Sequence, residues 1–218
     1  SERNFLRRLQ LMLFEELHVG PLDVNCYILG CEETKEAVVI DPGGHSEKIK
    51  NSIDRLNLKV KWILITHGHF DHTGGLKKLK ELIDSPVCIH KNDEVMLKEG
   101  AHHALFFGFN IDSVPPADRL IEDGDELKMG NYTIKVIHTP GHSPGGVSYY
   151  TGDKIFVGDL LFAGSIGRTD LPGGNYETLI DSVKTKIFSL PGSTSVYPGH
   201  GGGSTVKEEI DTNPFFQS

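Results

Sequence analysis

The sequence predicts an α/β domain in which two strand-rich halves, each finishing in helices, form a sandwich of two sheets with helices outside. Short apolar runs of strand length recur from Phe14 to Tyr197, helix-spaced apolar residues separate them, and no Gly/Ser/Pro-rich linker divides the 218 residues. A chain of this length buries about 70% of its unfolded surface, enough for one core. The expectation is therefore a single domain over residues 12–218, with Ser1 to Leu11, a basic stretch ahead of Met12, as a leader or added segment.

Phe14 to His18, Cys26 to Leu29 and Ala37 to Ile40 read as strands, the third closing on the tight turn Pro42-Gly43-Gly44. Ser46 offers an N-cap for a helix that carries Ile49, Ile53 and Leu56 on one face. Trp62 starts the next strand, and Thr73 to Ile83 follows as a helix. Lys77, Lys78 and Lys80 fall between Leu76, Leu79 and Leu82 at helical spacing and form a solvated face. Val87 to His90 is a strand and Asp93 to Lys98 a short helix. Gly100 to Arg119 is the least regular segment, with His102, His103, Phe106, Phe107 and Phe109 ahead of Pro115-Pro116. It reads as a lid or, the reading favoured from sequence, as an aromatic cluster that packs, here at a homo-oligomer contact. Tyr132 to His138, Val147 to Tyr150 and Ile155 to Val157 are successive strands. A helix with Leu179, Val183 and Ile187 facing inward and a last strand, Ser195 to Tyr197, complete the order.

With 30 acidic and 22 basic residues the chain carries a net charge of −8. That argues against a nucleic-acid partner, whose phosphates call for clustered lysine and arginine. No stretch reaches the roughly 20 apolar residues that a membrane span needs. Cys26, Cys31 and Cys88 are odd in number and lack CxxC spacing, so no disulfide framework is expected. Cys26 and Cys88 lie in apolar runs as small core residues, and the simplest compartment is a reducing cytoplasm.

The chemistry concentrates in Thr66-His67-Gly68-His69-Phe70-Asp71-His72-Thr73-Gly74-Gly75, directly after the apolar run Trp62-Ile63-Leu64-Ile65. His67 and His69, two apart, can point the same way in extended chain, while Asp71 and His72 enter a helical start, so two pairs can serve two ions. His142 in Thr139-Pro140-Gly141-His142, Asp159 in Val157-Gly158-Asp159, and His200 in Pro198-Gly199-His200 each follow a strand-like run or sit in a glycine-rich turn. One HxH at a strand end is often incidental, and His45, His90 and His138 read as ordinary surface or core histidines. The seven together, in fitting structural context, read as a metal site. Imidazole and carboxylate without thiolate suit zinc, iron or manganese. Asp41 either caps a turn, the reading favoured here, or accepts a proton from a ligand imidazole.

These seven residues, in this order, resemble the HxHxDH motif and later His, Asp and His of the metallo-β-lactamase superfamily, and the likeness covers nearly the whole chain. It implies a four-layer αββα sandwich. It also implies a first metal at His67, His69 and His142, a second at Asp71, His72 and His200, and Asp159 bridging both. Gly158-Asp159-Leu160-Leu161-Phe162, Gly164-Ser165-Ile166-Gly167-Arg168-Thr169-Asp170 and Asn213-Pro214-Phe215 are similar to the glyoxalase II-like branch (hydroxyacylglutathione hydrolases) and the related persulfide dioxygenases.

The implied function is hydrolysis of a small-molecule thioester such as hydroxyacylglutathione. The implied cofactors are two divalent ions, zinc foremost, with iron or manganese as alternatives. A hydroxide between them would attack the thioester carbon while Asp71 orients it. A thioester suits a site without an evident general acid, because a thiolate of parent pKa about 8.5 leaves without obligatory protonation. The alternative is a persulfide dioxygenase with a single iron on His67, His142 and Asp159. β-Lactam hydrolysis is disfavoured, since the resembled lactamases of the commonest zinc type have cysteine at the position of Asp159. A relative of the diiron electron-transfer proteins would fit better with glutamate in place of His69. Arg168 could hold a substrate carboxylate, including one of glutathione, or pair with Asp170. The chain ends at Ser218, so the carboxy-terminal helical domain of full-length glyoxalase II is expected to be absent, and Gly201 to Thr205 lacks that family's tyrosine.

Overall fold

The computed structural model describes residues 12–217. The expected leader over residues 1–11 lies outside them. Strands β1 (Met12–Val19), β2 (Val24–Cys31) and β3 (Glu36–Ile40) run antiparallel in sequence order. Parallel neighbours then follow as β4 (Lys59–Leu64), β5 (Val87–His90) and β6 (Arg119–Ile121). Parallel pairing requires crossovers. They are supplied by α1 (Ser46–Arg55) before β4, α2 (Phe70–Thr73) and α3 (Leu76–Leu82) before β5, and α4 (Glu94–Lys98) and α5 (Gly100–Phe106) before β6.

The second sheet starts with the meander β7 (Glu126–Met129), β8 (Tyr132–His138), β9 (Val147–Thr151) and β10 (Lys154–Gly158). A two-stranded excursion, β11 (Leu161–Phe162) and β12 (Ser165–Ile166), precedes α6 (Tyr176–Ser182), which runs on through a π-helical stretch at Val183–Ile187. This crossover returns the chain to β13 (Ser195–Pro198), parallel to β10, before β14 (Ser204–Thr205) and α7 (Val206–Thr212).

Alternation places the core in three seams. Val38 and Ile40 of β3 face the second sheet, where they join Leu64, Met129, Val136, Tyr149 and Phe156. Val39, one residue between them, faces α1 and α3 with Ile49, Ile53, Leu76 and Leu79. On the far face Ile155, Val157 and Val196 meet Leu179, Val183, Ile187 and Val206. The result is the expected αββα order of layers, with the inward helix face that the sequence assigned to Leu179, Val183 and Ile187.

Several local expectations are corrected. Ser46 lies within the first turn of α1 rather than capping it; its hydroxyl donates to Gly75 O at 2.8 Å. The residue before the helix is His45, left-handed at φ 47°, and its ring accepts from Gly20 N. The helix expected from Thr73 to Ile83 is broken, because Gly75 N donates to Pro42 O at 2.9 Å and a β-carbon there would meet that oxygen at 2.5 Å. The segment expected to be irregular contains α5, while β6, β7, β11, β12, β14 and α7 were not anticipated.

Candidate metal centre

All seven expected ligands come from chain leaving strand ends at one edge of the sandwich. His67 and His69 follow β4, and Asp71 and His72 lie on α2; His142 follows β8, Asp159 follows β10, and His200 follows β13. The structure gathers them into two adjoining clusters, His67, His69 and His142 in one and Asp71, His72, Asp159 and His200 in the other. Within each, one ligand atom per residue lies within 4.8 Å of the rest.

The three imidazoles of the first cluster stand nearly perpendicular, with ring centroids 4.7–4.8 Å apart. Asp159 faces both clusters: its Oδ1 is 3.3 Å from His72 Nε2, and its Oδ2 is 3.8 Å from His142 Nε2 and 3.7 Å from His200 Nε2. Asp71 Oδ2 closes the second cluster, 3.2 Å from His200 Nε2 and 3.6 Å from His72 Nε2.

Outer contacts fix which nitrogen points inward. His72 Nδ1 lies 2.9 Å from Asp41 Oδ2, His67 Nδ1 lies 3.1 Å from Thr66 Oγ1, and His142 Nδ1 lies 2.8 Å from the backbone oxygen of Arg168. Holding the outer nitrogen orients a ligand imidazole and raises its basicity. Asp41 thus holds a ligand imidazole rather than only capping its turn. Its carboxylate also accepts from Thr66 N and Oγ1, at 2.8 and 2.6 Å.

The buried charges are arranged for cations. Burial pushes His69 down to about 4, with His142 adding to the effect, and carries His67 well below its ordinary value, helped by His72. Both stay neutral donors. Burial would raise Asp71 and Asp159, yet His72 foremost among their neighbours holds both below the usual carboxylate range. Burial would also discharge His72, but Asp159, Asp71 and Asp41 hold its pKa well above normal. The second cluster therefore keeps a proton where positive charge is required.

A metal fits this donor set on a further ground. His67 Nε2, His72 Nε2 and Asp159 Oδ1 are buried polar atoms without a hydrogen-bond partner, and all three belong to the clusters. Leaving such groups unpaired costs about 1–3 kcal/mol each, a cost that coordination removes.

Some supporting residues carry no signal in the sequence. Asp93, fully buried after β5, accepts from Gly68 N at 2.9 Å, Ser143 Oγ at 2.7 Å and Gly145 N at 2.5 Å. It ties the His67/His69 turn to the His142 loop. Asn25 and Tyr27 of β2 clamp the His200 turn, donating to Pro198 O at 3.1 and 2.6 Å, with a second Asn25 bond to Gly201 O at 2.8 Å. Asn213, noted in the carboxy-terminal motif, donates to Ser165 O and to buried Glu209, which takes Gly164 N.

Arg168 pairs in two-pronged fashion with Asp170, at 2.8 and 2.7 Å. Both it and the aromatic segment border a cavity of about 540 Å³ whose floor is His69, Asp71, His142 and Asp159. Phe107 and Phe109 lean on Phe70, with centroids 5.9 and 5.5 Å away. The segment that was expected simply to pack therefore also walls the site. His90 stacks on His138 at 4.2 Å, away from both clusters, and Cys26, Cys31 and Cys88 are free and buried. Among the described residues no helix is long and apolar enough to cross a membrane.

An αββα sandwich with a three-histidine cluster beside a His/Asp cluster defines a dimetal-type hydrolase scaffold. The chain belongs to the metallo-β-lactamase superfamily, whose profile matches residues 19–200. It is 41% identical to "Probable metallo-hydrolase YqgX" of Bacillus subtilis, over 94% of this chain and 97% of that one. It is 36% identical to hydroxyacylglutathione hydrolase GloC of Haemophilus influenzae, over 95% and 99%. Among solved structures, BLEG-1 B3 metallo-β-lactamase superposes with a TM-score of 0.88 at 40% identity, covering 94% of this chain and 100% of that chain. TTHA1623 in a di-iron-bound form superposes at 0.85 with 41% identity, covering 92% and 99%.

Proposed function

We propose that this protein is a metal-dependent thioester hydrolase, with hydroxyacylglutathione-type thioesters as its first assay substrates. The observation that carries this reading is the pair of adjoining clusters with Asp159 facing histidines of both, and three unpartnered buried ligand atoms belonging to them. In it His67, His69 and His142 would hold a first ion and Asp71, His72 and His200 a second, with Asp159 available to either. Zinc suits the donor set, and the di-iron form of a relative keeps iron in view.

Bound ions would lower the pKa of a shared water to about 7 and polarise an incoming carbonyl. The chain's own residues do the rest. Asp71, beside His72 and His200, orients the nucleophile from the second cluster. Among the described residues outside the clusters, only His103 and Arg168 bring an ionisable group to the cavity, and Arg168 is engaged by Asp170. His103 is thus the one imidazole outside the clusters that borders the cavity among the described residues, and a thiolate, which leaves without obligatory protonation, suits a site so sparse in acids. A glutathione carboxylate could reach Arg168 only by displacing Asp170 from it, so substrate binding is not assigned to this side chain.

A second reading rests on a subset of the same atoms. His67, His142 and Asp159 make a two-histidine, one-carboxylate set of the type that holds mononuclear iron in oxygenases, and a persulfide dioxygenase would use it.

Elemental analysis of protein purified without chelator, followed by S-lactoylglutathione hydrolysis before and after chelation, tests both. About two ions per chain and chelator-sensitive hydrolysis support the hydrolase. One iron per chain with oxygen uptake on glutathione persulfide would replace it. Nitrocefin serves as the comparison substrate because of the B3 relative, and faster turnover of nitrocefin than of any thioester would move the assignment to lactams.

A further inference from the structure

We propose that the cavity over the two clusters takes an uncharged, apolar group of about the size of a phenyl ring or a six-carbon chain, so that the favoured thioester carries such a group beside its carbonyl. This rests on the thioester-hydrolase reading and narrows its substrate class. Three separate segments build the wall: Leu22 from the turn after β1, Phe107 and Phe109 from the end of α5, and Leu171 from the loop after β12, with Phe70 beneath. Apart from the clusters at the floor, only His103 and Arg168 among the described residues bring a polar side chain to this lining.

Among the described residues Arg168 is the only guanidinium or ammonium group lining the cavity, and both prongs of its fork are held by Asp170. An anionic substituent would thus meet mostly apolar carbon, with the His103 imidazole and an already neutralised cation as its only polar neighbours outside the clusters among the described residues, in a chain of net charge −8. An apolar one would displace water from aromatic and aliphatic surface. Phe106, Phe107 and Leu22 line this one cavity and are 85%, 44% and 41% exposed, a grouped apolar surface of the kind that marks a binding groove. Their cavity of about 540 Å³ falls in the range of small-molecule sites.

The apolar group could sit on the acyl or the thiol side, and the test separates these. The purified metal-loaded protein is assayed on hexanoyl and acetyl thioesters of N-acetylcysteamine for the acyl side, and on benzyl thioacetate for the thiol side. We expect kcat/KM at least about tenfold above acetyl-N-acetylcysteamine on one side or the other, since even one methylene in an apolar pocket is worth about tenfold or more. Leu22→Ser and Phe107→Ser, both at exposed positions and each checked for unchanged metal content, should bring that preference within about threefold of unity.

No gain on either side, or a gain that both variants keep, overturns the inference while leaving thioester hydrolysis intact. If no thioester is turned over at all, the hydrolase reading fails, and calorimetry of hexanoate against acetate then reads the cavity alone. Hexanoate bound about tenfold more tightly supports the apolar pocket, and equal affinities overturn it.

Discussion

Ser143 Oγ donates to Asp93 Oδ2 at 2.7 Å, and through that carboxylate the loop bearing His142 is fastened to the turn between His67 and His69. Asp93 is not a ligand, yet it sets the spacing of the first cluster. Asp93→Ala would leave two backbone N–H groups and a hydroxyl without their acceptor. Metal affinity at the first cluster should fall about 10- to 100-fold, as when other outer partners of ligands are removed. The second cluster should keep its ion. Cobalt titration followed by visible spectroscopy reads the two separately, and simultaneous loss of both would contradict this role.

Gly199 makes the complementary case. A β-carbon there would sit 2.2 Å from Asp159 Oδ1 and 2.6 Å from His72 Cε1. Gly199→Ala should therefore reduce the metal content from about two ions to about one, with the second cluster emptied first. Full occupancy in this variant, measured by elemental analysis, would show that the turn can yield.

The metal-free protein should be most stable near pH 6.5. Folded His69 takes its proton only at about 4, and His67 and His90 are also held low by burial, so the unfolded chain binds more protons below its ordinary value of about 6.5. Stability from these groups is complete above that pH and falls as the pH drops toward 4. His72 and His200 are shifted upward, so their contribution is complete below about 6.5 and is lost as the pH rises through their folded values. Urea midpoints of chelated protein from pH 4 to 9 check this dome. A profile still rising above pH 7 would contradict the upward shift of His72.

Loading the second cluster should release protons, because His72 is protonated in the metal-free state and must be neutral to ligate. Calorimetry of zinc binding at pH 7 in two buffers of different ionisation enthalpy should give about one proton or more per chain. Identical heats in both buffers would mean that His72 carries no proton to lose.

Arg168→Ala should leave metal content unchanged. His142 is held by the backbone oxygen of Arg168, which the substitution keeps, while the side chain is occupied with Asp170 in an exposed pair. The change in kcat/KM for glutathione thioesters should stay below about threefold, as such pairs are worth little. A large rise in KM confined to glutathione substrates would assign the side chain to the substrate carboxylate.

The seven ligand positions were legible because each follows a recognisable apolar strand and the motif itself is local, from Thr66 to Gly75. Their supports were not. Asn25 reaches Pro198 across 173 residues and Asp93 reaches Ser143 across 50, and no spacing along the chain encodes such meetings. Asp41, in Ile40-Asp41-Pro42-Gly43, fits both roles by its place in the chain, and only the His72 contact decides between them. Among the missed elements, Leu127 and Met129 alternate with Glu126 and Lys128, a readable strand pattern, and Thr205 with Glu208 forms a capping box that announces α7. The two-residue strands of β11 and β12 are too short to show any period.

Neither half of the polypeptide owns an ion. Each cluster draws ligands from the chain before β5 and again from the chain after β8, so a fragment carrying either sheet alone has an incomplete coordination sphere. Occupied, the centre would act as a rivet between the two sheets, and unfolding either would have to eject the metal. By mass action, free metal at a hundredfold excess over its dissociation constant adds about 2.7 kcal/mol to the folded state for each such site. Metal supply would then govern how long the folded molecule persists as well as whether it reacts.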